Sequence, residues 1–295
     1  MEKWEGIFTA LVTPFDEEGK VREDSLRRII NYNLKNGVCG FYVCGSTGEW
    51  PLLTLEERKK ILEIVADEVK DRAFIIASVG CISTELSIEL AKHAEEVGVD
   101  AISSCPPIYY KFSLEEIKHY YLDIAENTSI PLLIYYIPSL TNVEMSVDFL
   151  LDLLSPDNII GVKFTSMDLF KLERLKSVGK DKIVFNGFDE VFLGGLSLGA
   201  DGMIGSTCNI VPGIVRAIYD SFKSKDLDKA YLHQQELNRI IDDIKDFGII
   251  PAIKAILSLM GIECGKPRKP FKALEKEEIT RLSSLIKSWD IDFCL

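Results

Sequence analysis

Ile159-Ile160-Gly161-Val162-Lys163-Phe164-Thr165-Ser166, with the helical pattern that follows from about Asp168 to Val178, reads as one βα unit of the chain. The octapeptide is apolar and β-branched, the composition of a strand buried on both faces. It nevertheless carries a lysine just before its C-terminal end. Desolvating an ammonium costs several kcal/mol unless the group is paired or loses its proton. A lysine that has lost its proton is a nucleophile towards carbonyl carbon. An edge strand, or a side chain snorkelling to the rim, would account for Lys163 without any chemistry. The surrounding units decide between these readings.

Strand-like runs recur at 6–13, 40–44, 73–79, 101–105, 131–137, 182–185 and 203–204. Helical patterns follow them at 23–35, from about Thr54, and at 84–97, 113–127, 147–154, 189–198 and 212–222. Thr54 and Glu57 have the spacing of a capping box. Regular βα alternation implies a parallel sheet with right-handed crossovers. Eight units over roughly 220 residues are most economically a closed (β/α)8 TIM barrel. A doubly wound open sheet is the alternative, but no G-x-G-x-x-G follows the first strand. Beyond about Asp226 the pattern is helical only, at 227–246, 250–260 and 276–288, with a turn-rich connector from Gly265 to Pro270. The expected organisation is a barrel over 1–225 that carries the site, and a C-terminal helical extension over 226–295 packed on it.

The 295 residues suffice for a substantial core, and 47% apolar with 27% charged residues is ordinary for a globular protein. A net charge of −12 argues against nucleic-acid or anionic-membrane partners, but leaves room for a small anionic substrate. No apolar run approaches a membrane span, and Met1-Glu2-Lys3-Trp4-Glu5 lacks a signal-peptide pattern, so a cytoplasmic protein is expected. Seven scattered cysteines (Cys39, Cys44, Cys81, Cys105, Cys208, Cys264 and Cys294) contain no C-x-x-C and suggest neither disulfides nor zinc. His93, His119 and His233 fall in charged helical patterns, against a histidine-based metal site or triad.

In such barrels the chemistry sits on the loops after the strands. The second strand ends in Gly45-Ser46-Thr47-Gly48-Glu49, a tight turn able to present N–H and O–H groups to an anion, or else a plain glycine turn. Tyrosine pairs follow strand four (Tyr109-Tyr110) and lie in strand five (Tyr135-Tyr136), and a phenol is a plausible proton carrier. Thr165 and Ser166 follow Lys163; Asn186-Gly187-Phe188-Asp189-Glu190 ends strand seven and Gly205-Ser206-Thr207 ends strand eight. The two adjacent carboxylates fit either a helix cap or a ligand rich in hydroxyls. Amine, anion turn, phenol and sugar-friendly rim together fit Schiff-base chemistry on a 2-oxo acid, with a carbon–carbon bond made or broken.

At these residues the sequence resembles the pyruvate-dependent class I aldolases typified by dihydrodipicolinate synthase and N-acetylneuraminate lyase. The likeness runs over essentially the whole chain, through Gly45-Ser46-Thr47-Gly48-Glu49 with Glu57, and Tyr135-Tyr136-Ile137-Pro138 with Gly161-Val162-Lys163. It implies a catalytic set of Lys163, Tyr135, Thr47 and Tyr109: Lys163 forms the imine, Tyr135 relays a proton, and Tyr109 reaches towards a neighbouring subunit's site in a homotetramer. It implies also that Ser46 and Thr47 bind the pyruvyl carboxylate, with no metal or organic cofactor. Leu140 stands where the synthases carry an arginine, whereas Lys163-Phe164-Thr165 and Asn186-Gly187-Phe188-Asp189-Glu190 are similar to the sialic acid lyases. By that likeness Thr165, Gly187, Asp189, Glu190 and Ser206 hold the glycerol-like tail of a sialic acid. The small-molecule partner is thus a 2-oxo sugar acid; an aldolase for another 2-keto-3-deoxy sugar acid, a dihydrodipicolinate synthase and a non-catalytic sugar-acid sensor are the alternatives. Trp50, Asn142, Phe188 and Cys208 depart from the family pattern and are expected to bear on which sugar acid fits, Trp50 by narrowing the site.

Overall fold

In the computed structural model, which describes residues 4–289 and 291, eight parallel strands close into a barrel in sequence order. They are β1 (Gly6–Ala10), β2 (Gly40–Val43), β3 (Phe74–Ser78), β4 (Ala101–Ser104), β5 (Leu132–Tyr136), β6 (Ile159–Phe164), β7 (Ile183–Asn186) and β8 (Gly202–Gly205). Pairing of β8 with β1 completes the ring and leaves no edge. The edge-strand reading of Lys163 therefore falls away, since β6 is paired on both sides.

Helices α1 (Glu23–Lys35), α2 (Leu55–Val69), α3 (Thr84–Val97), α4 (Leu114–Glu126), α5 (Pro138–Thr141), α6 (Val147–Leu153), α7 (Leu169–Val178), α8 (Phe192–Ser197) and α9 (Pro212–Lys223) lie between and after the strands. Their starts follow local chemistry. Thr54 accepts the Glu57 N–H at 3.2 Å while the Glu57 carboxylate takes the Thr54 N–H at 2.9 Å, completing the expected capping box. Two elements differ from expectation. Pro138, read as a strand stop, also opens the short α5, because proline suits the first turn of a helix. The stretch from Asp189 begins as a tight 3-10 turn (Asp189–Val191), and the α-helix starts only at Phe192.

The barrel interior is filled by side chains. Phe8 packs edge-on to Phe185 with centroids 4.9 Å apart, and a Cβ on Gly40 would lie 2.3 Å from the Phe8 ring, so the glycine makes room for it. Alternation separates the strand-five tyrosines: Tyr135 faces inward, while Tyr136 faces the helices, stacked on Phe164 at 5.2 Å and bonded to Glu144 at 2.7 Å. A register shift between Leu132 and Leu133 against β6 brings Gly161 opposite Leu133 and sets Lys163 level with Tyr135.

The extension comprises α10 (Leu227–Lys245), α11 (Ile249–Leu259) and α12 (Lys276–Lys287), with α10 packed on α9 and on the 189–191 turn. The six described cysteines are buried thiols; Cys294 lies outside the described residues.

Candidate active site

Lys163 points into the barrel mouth and is 4% exposed. Its Nζ lies 4.1 Å from the ring centroids of both Tyr42 and Tyr135, whose rings meet edge-on at 5.8 Å. Aromatic faces attract a cation, but removal from water is the larger effect here. Burial draws the Lys163 amine down to about 7, against the opposing pull of the Asp189 carboxylate. Near neutral pH a large fraction of this amine is unprotonated and nucleophilic.

The turn after β2 frames the mouth on one side. Gly45 is required because a Cβ there would come within 2.5 Å of the Tyr42 ring. Ser46 and Thr47 are half-buried, and the Ser46 Oγ lies 3.5 Å from the Tyr135 hydroxyl. Burial pushes the Tyr135 phenol up to about 12, with the Ser46 hydroxyl acting the other way. Tyr135 is therefore a phenol at neutral pH rather than a standing base. The carboxylates in this signature look elsewhere: Glu49 forms a buried ion pair with Lys254 of α11, and Glu57 takes both a 2.6 Å bond from Arg268 and a second, shorter one.

Strands β6 to β8 supply the opposite rim. Thr165 is buried, and a Cβ on Gly187 would fall 1.9 Å from its Oγ1, so only glycine leaves that hydroxyl in place. Of the two expected roles for Asp189, helix capping is not what its carboxylate does. It accepts the Thr207 N–H at 2.7 Å and the Ser206 hydroxyl at 3.4 Å, tying the β7 loop to the β8 loop. Burial raises the Asp189 and Glu190 carboxyls above their ordinary values.

Ser46, Tyr135, Lys163, Thr165, Gly187, Asp189 and Ser206 thus come from five strand ends to one mouth, with Thr47 beside Ser46 and the half-buried Glu190 next to Asp189 in the chain. Tyr109 does not join them within the chain: it is 90% exposed, with a left-handed backbone (φ 91°). Trp50, expected to narrow the site, is instead buried with its ring 5.2 Å from the Arg58 guanidinium. Asn142 takes φ 55° at the C-terminal end of α5, a left-handed position where asparagine can replace glycine. Cys208 is fully buried, whereas Phe188 is half-buried.

Sequence reasoning missed Tyr42, whose only signal was an aromatic facing inward on a strand otherwise read as core. It missed also the supports from the extension. Gln234 of α10 accepts the Leu193 N–H at 2.9 Å and donates to the Asp189 and Glu190 carbonyls at 3.1 and 3.3 Å.

A closed parallel barrel with a desolvated amine between two phenol rings at its mouth is a scaffold built for carbonyl chemistry. Residues 3–289 match the dihydrodipicolinate synthetase family. The chain is 42% identical over 287 residues to the N-acetylneuraminate lyase of Clostridium perfringens, covering 96% of this chain and 99% of that one. The solved structure of CdNal from Clostridium difficile in complex with mannosamine superposes with a TM-score of 0.95 at 42% identity, over 97% of this chain and 99% of the other. Dihydrodipicolinate synthase from Aquifex aeolicus has the same fold (TM-score 0.92) at 28% identity, over 97% and 98% of the two chains. The protein belongs to the dihydrodipicolinate synthetase family.

Proposed function

We propose that the protein is a carbon–carbon lyase that cleaves N-acetylneuraminate to pyruvate and N-acetylmannosamine through an imine on Lys163. The observation that carries the reading is the amine itself: buried, drawn down to about 7 and held between two aromatic rings. Lyase relatives at 42% identity over nearly the whole chain supply the substrate class.

The steps balance within the site. The neutral Lys163 amine adds to the keto carbon of the open-chain sugar acid, whose carboxylate rests on Ser46 and Thr47. Tyr135 gives its proton to the departing hydroxyl, leaving water, an iminium and a phenolate that the new positive charge favours. That phenolate takes the C4 hydroxyl proton as the C3–C4 bond breaks; the bonding pair moves into the imine, giving an enamine and an aldehyde. Tyr135 returns the proton to C3, and water hydrolyses the imine to pyruvate and free amine. The iminium is the electron sink, so the route invokes no metal or organic cofactor. Thr165, Gly187, Asp189, Glu190 and Ser206 line the side on which the polyhydroxylated tail would lie.

A homotetramer in the cytoplasm completes the reading. Tyr109 supports the assembly: an aromatic 90% exposed on a left-handed backbone is suited to fill a neighbour's site rather than its own. No helix among the described residues is long and apolar enough to cross a membrane. The test is pyruvate release, coupled to lactate dehydrogenase, from N-acetylneuraminate against 2-keto-3-deoxygluconate. Turnover of the second compound but not the first would overturn the substrate.

A further inference from the structure

The geometry points to Glu49, Lys254 and Arg268 as positioning residues: the buried Glu49–Lys254 pair fastens the 46–49 turn to the C-terminal extension and thereby fixes where Ser46 and Thr47 meet the substrate carboxylate. This rests on reading that turn as the pyruvyl carboxylate site.

The pair is fully enclosed, with side-chain exposures of 0% for Glu49 and 1% for Lys254. A buried ion pair is a poor stabilising device, because desolvation takes back most of the attraction and an apolar pair of similar volume often does as well. Its presence calls for a geometric reason. Glu49 holds a left-handed backbone (φ 62°), unfavourable for a residue with a Cβ. Its N–H donates to the Ser46 carbonyl at 3.1 Å, so a shift of Glu49 is passed directly to Ser46.

The carboxylate is held from two directions. Lys254 pairs with one oxygen, and the backbone N–H of Arg268 donates to the other at 2.7 Å. Both cations lie against the Phe15 ring, at 4.1 Å for Lys254 and 4.5 Å for Arg268. The Arg268 guanidinium also donates to the Leu52 carbonyl at 2.8 Å and the Gly19 carbonyl at 2.7 Å. Gly265 passes close beneath: a Cβ there would lie 2.1 Å from the Phe15 carbonyl oxygen. The loop after β1, the turn after β2 and the connector before α12 are thus one fastened unit, and the acid in the signature faces the fastening rather than the mouth.

The experiment is borohydride trapping across a pyruvate series, with mass detection, on the full chain and on Lys254→Met, the double variant Glu49→Gln/Lys254→Met, and Leu172→Ala, buried on α7 against α6, α8 and β7, as a control of lowered stability. Lys254→Met leaves a buried carboxylate without its cation; the double variant removes both charges. We expect the pyruvate concentration for half-maximal trapping to rise at least about tenfold in both clamp variants. Trapping at saturating pyruvate and its pH midpoint should stay put, and the double variant should recover the melting temperature without recovering pyruvate affinity. Leu172→Ala should lose melting temperature with no change in pyruvate dependence. The same pyruvate dependence in the double variant as in the unaltered protein, or an equal shift in Leu172→Ala, would overturn the inference alone. No adduct in the unaltered protein would overturn the imine reading and, with it, this one. Should Lys254→Met not fold, the double variant decides the matter.

Discussion

Lys163 and Tyr42 meet across the barrel mouth, the lysine Nζ 4.1 Å from the centroid of the tyrosine ring and the phenol beyond it 3.1 Å from the Ser103 hydroxyl. Tyr42 therefore closes the side of the amine that Tyr135 leaves open. Because loss of water is what lowers the Lys163 amine, the ring is expected to contribute to the pH at which that amine loses its proton. Tyr42→Ala would open a cavity at a buried site, costing about 3–5 kcal/mol of stability. Water entering that cavity should move the midpoint of imine formation upward from about 7 towards the ordinary lysine range. Tyr42→Phe keeps the ring and should keep the midpoint. Rates of trapping with pyruvate as a function of pH distinguish the two variants.

Lys163→Met should abolish the trapped adduct and raise stability. The sign follows from proton binding: the folded amine titrates near 7 and the unfolded one near 10.5, so the unfolded chain holds more protons between those values. The penalty on the folded state is complete below about pH 7, fades as pH rises towards 10.5, and is at most on the order of 5 kcal/mol. Thermal melts of the two proteins should be furthest apart below pH 7 and converge above pH 10. A constant gap would show that lost contacts, not charge, govern the difference.

Tyr135→Phe removes the proposed proton carrier and leaves the ring beside Lys163. Turnover should fall by roughly 10²–10⁴, while an adduct with pyruvate still accumulates, more slowly. Single-turnover trapping set against steady-state pyruvate release measures this split, and full turnover in the variant would remove Tyr135 from the mechanism.

Gly187→Ala places a methyl group 1.9 Å from the Thr165 Oγ1 and must push that side chain aside. The expected result is a rise of about tenfold or more in KM for N-acetylneuraminate, with the pyruvate dependence of trapping untouched. An equal loss for both ligands would place Thr165 in the pyruvate half of the site.

The barrel was legible because strands buried on both faces write themselves as apolar runs, and each run ended at glycine, proline or hydroxyl residues that also mark the mouth. Lys163 stood out because a charge in such a run needs a reason. Tyr42 did not, since one inward aromatic looks like core whether it packs or tunes an amine. Glu49 was legible as part of a signature but not in its direction: its partners, Lys254 and Arg268, lie about 200 residues away, and no local pattern announces a pairing of that range. Asp189 was ambiguous for the same reason, its partner being the backbone N–H of Thr207 on the next strand's loop. Pro138 shows the limit of punctuation, one residue serving as strand stop and helix start.

The grip of Gln234 on the loop after β7 engages two carbonyls and one amide N–H, all of them main-chain atoms. Asn238 adds another bond to the Glu190 carbonyl at 3.1 Å. The identity of the side chains at 188 and 190 does not enter into any of these bonds. Those positions can therefore be exchanged, in nature or by design, while the loop keeps its path: on the proposed reading of this rim, substrate preference can drift while the shape is inherited from the extension.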